Sequence, residues 1–343
     1  MTSKTSKSYE VFKNGSTWLK ADFHLHTNGD KEFKYSDNED YFVSNYIAAL
    51  KTAGVQLGVI TNHNKFDLSG FKALRKNGLK NEIFLLPGIE LSVKDGKYGI
   101  HVLIVFSDEW FQNPANNDYI NSFLAVTFAG QNNFENENGR SNHDLLDTIR
   151  ELDKFEKDYF LIFAHVEEKN GLWGGLGGGR IQELEKHENF RRRNLGFQKV
   201  RTHQVADKVC KTKVQRWFND SYPAELEGSD CKSIESINQG AECYLKIGDY
   251  TFEAVKFALL DHHNRLSKSP QQHTHSHIRS ISFEGGILDG KSLELSSELN
   301  SLIGIRGSGK SSVLESIRYV LNIPFQDKSE DKEYKNRLVA HTP

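Results

Sequence analysis

Short apolar runs alternate with longer segments of helical periodicity from Trp18 to about Leu260. Helices are predicted near 38–53, where apolar side chains share one face, from a capping-box pattern at Ser141, and from Thr251. The apolar runs occupy 18–23, 55–60, 83–87, 101–106 and 159–164. Alternation of this kind is typical of β/α units around a largely parallel sheet or barrel.

The pattern divides the chain into four parts. Residues 1–16 form a polar lead-in, and residues 17–260 form the first domain. Residues 261–277 have no apolar face and are expected to be a linker, with the domain boundary near residue 275. Residues 278–343 begin a second, β-rich unit. This unit is too short for a complete nucleotide hydrolase, so we expect either a fragment of a longer protein or dependence on another chain.

Composition narrows the class of protein. The net charge of −2 argues against attraction of the whole chain to nucleic acid, although a local basic patch remains compatible with it. The chain has three widely spaced cysteines and no CxxC pair, which fits a reducing compartment. It shows no apolar signal segment and no run of membrane-spanning length. A cytoplasmic location is therefore expected.

Histidine and carboxylate residues occur at the ends of the apolar runs. The strand ends of a β/α barrel meet at one mouth, so residues far apart in sequence can converge there. His24 and His26 are two positions apart and point to the same side of an extended segment. His101 is less regular, because it opens its run rather than closing it. The candidate metal ligands are His24, His26, His63, Glu90, His101, His165 and Asp230.

Imidazole ligands with a bridging carboxylate suit Zn, Mn or Fe, and two such ions can hold a phosphate and activate water. A single histidine after a strand is more often an ordinary core or surface residue. The interpretation as a metal site depends on several candidates sharing one topological position.

These motifs, DFHLHT, ITNHN, PGIE, the His101 segment, AH at 164–165 and GSD at 228–230, resemble those of polymerase-and-histidinol-phosphatase (PHP) domains in the same order. The resemblance covers about 18–260. It implies a distorted (β/α)7, TIM-like barrel holding two, or with a further site three, divalent metals. By this resemblance one ion is bound by His24, His26, Glu90 and Asp230. A second is bound by Glu90, His101 and His165, with Glu90 bridging, and His63 is a ligand of the third.

Two positions depart from the family pattern. Asn62 stands where the family usually has an aspartate, and Lys232 stands where it often has a histidine. A protonated lysine cannot bind a metal, and only Asp30 or Glu32 offers an early ligand for the third ion. We therefore expect two metals, with the Lys232 ammonium replacing the third cation and holding a substrate phosphate. A solvated surface charge is the equal alternative for Lys232.

GIRGSGKS at 304–311 matches the phosphate-loop pattern G-x-x-x-x-G-K-[ST]. It follows the apolar run LNSLI and precedes a segment with helical spacing, so a strand–loop–helix arrangement is predicted. Lys310 would reach the β- and γ-phosphates of ATP, and Ser311 would hold Mg²⁺. A glycine-rich turn with a chance lysine is the alternative. The predicted nucleotide-binding residues are Gly304, Gly307, Gly309, Lys310, Ser311 and Ser312.

The segment from Ile278 resembles the amino-terminal lobe of SMC-like and ABC-type ATPases. PHP domains fused to such ATPases are known, and some act in defence against phages. This resemblance implies a partial P-loop ATPase lobe after the barrel.

Three weaker patterns have two interpretations each. Residues 190–218 are basic with interleaved aromatic residues, which fits either a nucleic-acid backbone or a solvated helix face. The glycine run 170–180 is either a mobile lid or an ordinary loop. HTHSH at 273–277 is either an adventitious metal site or linker.

The leading functional hypothesis is a metal-dependent phosphodiesterase or nuclease acting on nucleic acid, gated by the ATPase part, in antiviral defence or DNA repair. His63 or Lys232 would orient or protonate near the leaving group. A phosphomonoesterase for a small metabolite is a second hypothesis. A degenerate barrel that serves oligomerisation or regulation of the ATPase is a third. A homo-oligomer without membrane attachment is the expected assembly.

Overall fold

The structure, a computed structural model, describes residues 9–270, 274–324 and 333. Half of the predicted polar lead-in, His273 of the HTHSH segment, and most of the predicted ATPase segment beyond residue 324 lie outside the described residues. The chain forms two compact units, Ser16–Gln271 and a second unit that combines Met1–Gly15 with Gln272–Pro343.

The larger unit is built on a nine-stranded sheet in the order β7-β6-β5-β4-β3-β2-β1-β8-β9. Its central strands are buried along their whole length, because apolar residues on both sides of each strand pack against other elements. The strands are β1 (Thr17–Leu25), β2 (Leu57–Ile60), β3 (Phe84–Val93), β4 (Ile100–Phe106), β5 (Tyr159–Phe163), β6 (Asn194–Gln198), β7 (Ala224–Leu226), β8 (Tyr244–Ile247) and β9 (Leu266–Ser267).

The sheet is less parallel than the alternating pattern predicted. β4 runs antiparallel to both β3 and β5, and β8 runs antiparallel to β1 and β9. The second half of β3, residues 88–93, forms a hairpin with residues 100–105 of β4, because only six residues separate the two strands, too few for a helical crossover. The consequence is that the amino end of β4 lies at the same rim as the carboxyl ends of the parallel strands.

The segment after β7 nearly closes the sheet into a barrel. The amide of Phe23 donates to the carbonyl of Glu227 at 3.3 Å, and the amide of Asp230 donates to the carbonyl of His24 at 2.8 Å. Leu25 and Cys231 complete this contact as a parallel bridge. We call the contact between 23–25 and 227–231 the seam. The result is an α/β fold with a nearly closed nine-stranded barrel sheet.

Helices cover the sheet, and several begin where the sequence places a capping residue. Thr251 accepts a hydrogen bond from the amide of Ala254, as the cap pattern predicts. The helix predicted from Ser141 begins at Leu145 instead, because Asp144 accepts from Asp147 and caps it. Among the described residues no helix is long and apolar enough to cross a membrane. The helices are α1 (Phe42–Thr52), α2 (Leu68–Lys80), α3 (Tyr119–Thr127), α4 (Leu145–Asp153), α5 (Leu172–Gly175), α6 (Gly178–Lys186), α7 (Glu188–Arg193), α8 (Lys211–Phe218), α9 (Phe252–Leu260), α10 (His262–Arg265) and α11 (Lys310–Val320).

Two segments differ from the expected loops. The glycine run forms α5 and the start of α6, and Gly171 is required there because a Cβ atom would lie 2.2 Å from the carbonyl oxygen of His165. Part of the expected linker, 261–277, also has regular structure, since α10 and β9 pack against the end of the larger unit. The folded part of that unit therefore extends beyond residue 260.

The described part of the second unit contains a hairpin and α11. Strands β10 (Ser280–Ser282) and β11 (Ser292–Glu294) are antiparallel. The apolar run LNSLI does not form the strand predicted before the phosphate loop. No described strand pairs with it, and Leu299 and Ile303 are 89% and 93% exposed. An unpaired backbone has no ladder of hydrogen bonds to hold it extended.

Candidate metal centre

All seven predicted ligands lie together at the mouth of the barrel. His24 lies in β1 and His26 directly after it, whereas His63, His165 and Asp230 follow β2, β5 and β7. Glu90 lies inside β3, which extends past the predicted run because its second half pairs with β4. His101, the irregular member, is at the mouth because β4 is antiparallel. We call these seven residues the donor cluster.

Four donors of the cluster converge on one point. The Nε2 atoms of His24 and His26 are 3.1 Å apart. Oε2 of Glu90 lies 2.8 Å from Nε2 of His24 and 3.4 Å from Nε2 of His26. Oδ1 of Asp230 lies 3.2 Å and 3.7 Å from the same two nitrogens. Each residue therefore offers one ligand atom to a common volume.

The two oxygens of Glu90 face different groups. Oε2 faces His24 and His26, and it also lies 3.1 Å from Nε2 of His63. Oε1 lies 2.7 Å from Nδ1 of His101 and 3.3 Å from Nε2 of His165. A carboxylate between two sets of imidazoles has the position of a ligand shared by two ions.

The donor set fits divalent metal. A tetrahedral ion with bonds of about 2.0–2.1 Å separates its ligand atoms by roughly 3.3 Å, close to the spacings around His24, His26, Glu90 and Asp230. Two imidazole Nε2 atoms facing each other at 3.1 Å share at most one hydrogen, so an ion satisfies both better than a hydrogen bond does. The Nδ1 atom of His165 is buried without a hydrogen-bond partner in the structure. Imidazole and carboxylate ligands together favour Zn, Mn or Fe.

Asp30 positions two of the histidines. Its Oδ2 accepts hydrogen bonds from Nδ1 of His26 and Nδ1 of His63, both at 2.9 Å, and from the amide of His63 at 2.7 Å. The bonds keep the proton on each Nδ1 and leave Nε2 free to face the cluster. Asp30 was considered in the sequence only as an early metal ligand, and its contact with the rear of both rings makes it a positioning residue.

Asn62 lies outside the cluster. Its Oδ1 accepts from the amide of Thr27 at 2.9 Å, and its Nδ2 donates to Oγ1 of Thr27 at 2.9 Å. It therefore fixes the turn after β1 through two contacts with Thr27. The missing charge at this position does not weaken the positioning of His63, because Asp30 supplies it.

Two buried residues of the site were missed in the sequence. Oε1 of Gln198 accepts from Nδ1 of His24 at 3.0 Å, and its Nε2 donates to the carbonyl of Gly228 at 3.2 Å. Asp22 accepts from the amides of His24 and Ser229 at 3.1 and 3.0 Å. Both residues connect β1 to the segment carrying Asp230. Both are polar residues inside otherwise apolar strands, and this pattern could have identified them, because polar side chains are buried only where they have hydrogen-bond partners.

Lys232 reaches the cluster. Its Nζ lies 3.1 Å from Nε2 of His26, 3.1 Å from Oδ1 of Asp230 and 3.7 Å from Glu32. The side chain is 35% exposed, so it is neither buried nor a free surface charge. Burial lowers the pKa of Lys232, but the carboxylates of Asp230, Glu90 and Asp30 together outweigh burial and raise it. The ammonium therefore remains charged beside the proposed ligands.

Charge within the cluster is set by these contacts. Burial opposes ionisation of Glu90, but the imidazoles of His24 and His101 outweigh it and hold the pKa of this carboxyl well below its usual range. Burial likewise opposes ionisation of Asp230, and His24 and His26 lower its pKa in the same way. Both carboxylates are therefore ionised at neutral pH, as metal ligands must be.

The backbone is strained at two of the predicted ligands. His165 has φ of 29° and Asp230 has φ of 55°, in the region that residues other than glycine rarely occupy. Each conformation costs of the order of 1–3 kcal/mol and persists only where surrounding contacts impose it. Such strain concentrates at functional sites.

A loop lies over one side of the cluster. Nδ2 of Asn64 is 2.8–2.9 Å from the carbonyl oxygens of Phe134, Asn136 and Gly139. The carbonyl of Glu137 accepts from Nε2 of His101 at 3.2 Å. We call residues 134–139 the cover loop. It restricts access from the His101 side.

The aromatic residues of the basic stretch 190–218 belong to the core. Phe190 and Phe197 are fully buried, and Phe218 is 2% exposed. Trp217 is partly buried and would contact any side chain placed at Gly178. The idea that these residues stack on bases is therefore wrong for the three phenylalanines. Phe190 and Phe197 pack on Phe163 of β5, and Phe218 packs on both of them.

The phosphate-loop residues lie in the second unit. Gly307 and Gly309 have φ of 84° and 83°, which glycine adopts without strain, and α11 begins at Lys310. Nζ of Lys310 donates to the carbonyl oxygens of Gly304 and Ile305 at 2.6 and 2.8 Å. Ser311 and Ser312 occupy the first turn of α11. Of the predicted strand–loop–helix arrangement, the described residues show a loop and a helix but no strand before them.

Comparison with known proteins gives limited information. No protein-family model and no curated protein matches the chain. One similar solved structure is a two-domain protein from Bacteroides vulgatus described as containing a predicted PHP-like metal-dependent phosphoesterase, with 15% identity over 77% of this chain and 68% of that one, and a TM-score of 0.47. Another is a putative metal-dependent phosphoesterase from Bifidobacterium adolescentis, with 12% identity over 62% and 87% and a TM-score of 0.42.

A third is an amidohydrolase from Chromobacterium violaceum with bound sulfate and no metal, with 13% identity over 64% of this chain and 90% of that one, and a TM-score of 0.39. Similarity at this level assigns no family and no activity to the chain.

Proposed function

We propose that this chain is a metal-dependent phosphoester hydrolase whose centre is the donor cluster. The observation that carries the proposal is the position of Glu90, with one oxygen facing His24 and His26 and the other facing His101 and His165. This arrangement fits two ions that share one carboxylate. The motif order that resembles PHP domains, with their distorted (β/α)7 barrel, supports the same proposal.

Ions bound there would polarise a phosphate and lower the pKa of a water molecule. The residues of the chain have separate tasks. His24, His26, Glu90 and Asp230 hold one ion, and Glu90, His101 and His165 hold the other. Lys232 supplies a fixed positive charge beside Asp230 and can stabilise the phosphate as its charge grows. His63, ordered by Asp30, can hold a proton near the leaving group.

The proposal concerns first the class of bond and then the molecule that carries it. The donor set supports hydrolysis of a phosphoester. Nucleic acid as substrate depends on the basic residues of 190–218, because the phenylalanines of that stretch are buried. A small phosphate monoester is the second substrate class.

The test is hydrolysis by protein loaded with Mn or Zn. The substrates are p-nitrophenyl phosphate, bis(p-nitrophenyl) phosphate, and single- and double-stranded DNA and RNA. Metal content of the same samples is measured by mass spectrometry. Metal-dependent turnover of any of these esters supports the proposal. A protein that retains no metal and hydrolyses none of them contradicts it and favours a structural barrel that supports oligomerisation or regulation.

A second function, binding of ATP with Mg²⁺, is proposed for the phosphate loop. Its support is the conformation of Gly307 and Gly309 and the start of α11 at Lys310, whose first amides face the loop. Control of hydrolysis by this nucleotide, and a role in defence or repair, extend the proposal. Equilibrium binding of a fluorescent ATP analogue tests the first step, and the absence of saturable binding would contradict it.

A further inference from the structure

The donor cluster is closed on most sides and open on one. The side chains of His24, His26 and Glu90 are at most 1% exposed, and those of His63, His101 and His165 are at most 5% exposed. Asp230 differs from these six, with 24% of its side chain exposed. The cover loop lies over the His101 side, and the amide of its Glu137 also donates to Glu32, which is 3.7 Å from Lys232. A substrate therefore reaches the cluster past Asp230.

Two lysines flank Asp230 on this open side. Nζ of Lys232 lies 3.1 Å from Oδ1 of Asp230, and Nζ of Lys199 lies 3.8 Å from Oδ2. Their side chains are 35% and 29% exposed, so both ammonium groups face solvent as well as the carboxylate. We call Lys199 and Lys232 the lysine pair. Lys199 was not singled out in the sequence except as part of the basic stretch.

The position of Lys199 is imposed by its backbone. It directly follows β6, next to Gln198, which orients His24. Its φ of 57° is unfavourable for a lysine, and its amide donates to the carbonyl of Leu226 at 3.1 Å. With this backbone conformation, the Lys199 ammonium lies 3.8 Å from the Asp230 carboxylate.

We propose that the lysine pair forms an anion clamp that selects substrates with a terminal phosphate. Once an ion is bound, it neutralises the charge of Asp230, and two ammonium groups remain beside the exposed carboxylate, with Glu32 3.7 Å from Lys232. A phosphate monoester brings two negative charges and three terminal oxygens to this entrance. An internal diester brings one charge and two such oxygens. Charge-assisted hydrogen bonds from both lysines therefore favour the monoester.

This inference rests on the proposed hydrolase function and narrows its substrate class. The shared chemistry is a terminal phosphate, which occurs on small metabolites and on the end of an oligonucleotide. The six buried donors and the more exposed Asp230 fit a terminal phosphate that projects inward beside Asp230. This arrangement does not fit a nucleic-acid chain that continues on both sides of the scissile phosphate.

The first experiment measures binding of inorganic phosphate to the Mn-loaded protein by calorimetry. The variants are Lys199→Met, Lys232→Met and Lys51→Met, the last removing an exposed lysine of α1 as a matched control. We expect each clamp variant to weaken phosphate binding about tenfold or more, the effect of losing one charge-assisted hydrogen bond. Metal content should stay that of the wild type. Lys232→Arg should recover part of the affinity.

The second experiment compares kcat/KM for p-nitrophenyl phosphate, bis(p-nitrophenyl) phosphate, and an oligonucleotide with and without a 5′-phosphate. We expect the monoester to exceed the diester in the wild type and this preference to shrink in both clamp variants. Preference for the small ester or for the phosphorylated oligonucleotide shows whether the terminal phosphate belongs to a small metabolite or to the end of an oligonucleotide. Full metal content with unchanged phosphate affinity in both variants overturns the clamp and leaves the hydrolase proposal standing. A wild-type protein that binds no metal overturns both the clamp and the hydrolase proposal.

Discussion

Oε1 of Glu90 lies 2.7 Å from Nδ1 of His101, and the two residues come from adjacent strands that run in opposite directions. The contact explains why His101 stands at the start of its apolar run. In a parallel strand, the first residue would lie at the far end of the barrel. Because β4 is reversed, its first residues meet the carboxyl ends of the other strands.

Removing His24 and His26 together should abolish binding of the ion that they hold with Glu90 and Asp230. The double variant His24→Ala/His26→Ala loses two of the four donors around this ion, and we expect about two bound ions in the wild type to fall to about one. Mass spectrometry of the Mn- or Zn-loaded protein measures this. His203→Ala is the control, because His203 is exposed. Unchanged metal content and turnover in the double variant would refute the assigned centre.

Asp30→Asn should weaken metal binding without removing a ligand. The amide accepts less strongly than a carboxylate, so His26 and His63 lose the partner that fixes their tautomers. Substitutions of this kind typically cost about 10–100-fold in metal affinity. Competition with a chelator of known affinity gives the Kd. Asp37→Asn, at an exposed position, should leave the Kd unchanged, and equal values for both variants would count against a positioning role.

Lys310→Ala should separate the two proposed functions. Nucleotide binding should be lost, because Lys310 carries the charge of the phosphate loop. Metal content and hydrolysis of p-nitrophenyl phosphate without nucleotide should be unaffected. Binding of a fluorescent ATP analogue and the hydrolysis assay are measured on the same preparation. Unimpaired nucleotide binding would show that the glycine-rich loop is not the site.

Asn64→Gly should loosen the cover loop. Glycine tolerates the φ of 49° at this position, so the substitution removes the amide without adding strain. We expect a loss of about 1–3 kcal/mol in the free energy of unfolding, because the carbonyl groups of the cover loop lose their donor and the buried amide of Ser92 loses its acceptor. Hydrogen exchange should quicken in residues 134–139. Unchanged exchange there would mean that other contacts hold the loop.

Cys231 and Cys243 should resist thiol reagents until the chain unfolds. Burial raises the pKa of each thiol to about 12, so little thiolate exists at mildly alkaline pH. Cys231 lies in the seam, and its labelling reports opening of the barrel. Mass spectrometry of labelled peptides, with and without denaturant, measures this. Rapid labelling of Cys231 in the native protein would contradict a closed seam.

The sequence allowed the donor cluster to be predicted as a set, because each ligand adjoins an apolar run whose end is recognisable. It did not reveal the direction of β4, since an apolar run reads alike in both directions and register is set by pairing. Gln198 and Asp22 were missed because they act through contacts with residues far along the chain. The strand predicted before Gly304 failed for the same reason: an apolar run becomes a strand only where neighbours pair with it.

The seam has a consequence for the order of events during synthesis. His26 and Asp230 are separated by 204 positions, yet both belong to the proposed first ion site. A growing chain cannot assemble that site until residue 230 has left the ribosome. Partly made chains would therefore lack the complete pocket and hold metal only weakly. The ion would then bind late in folding, and it would join β1 to the segment after β7.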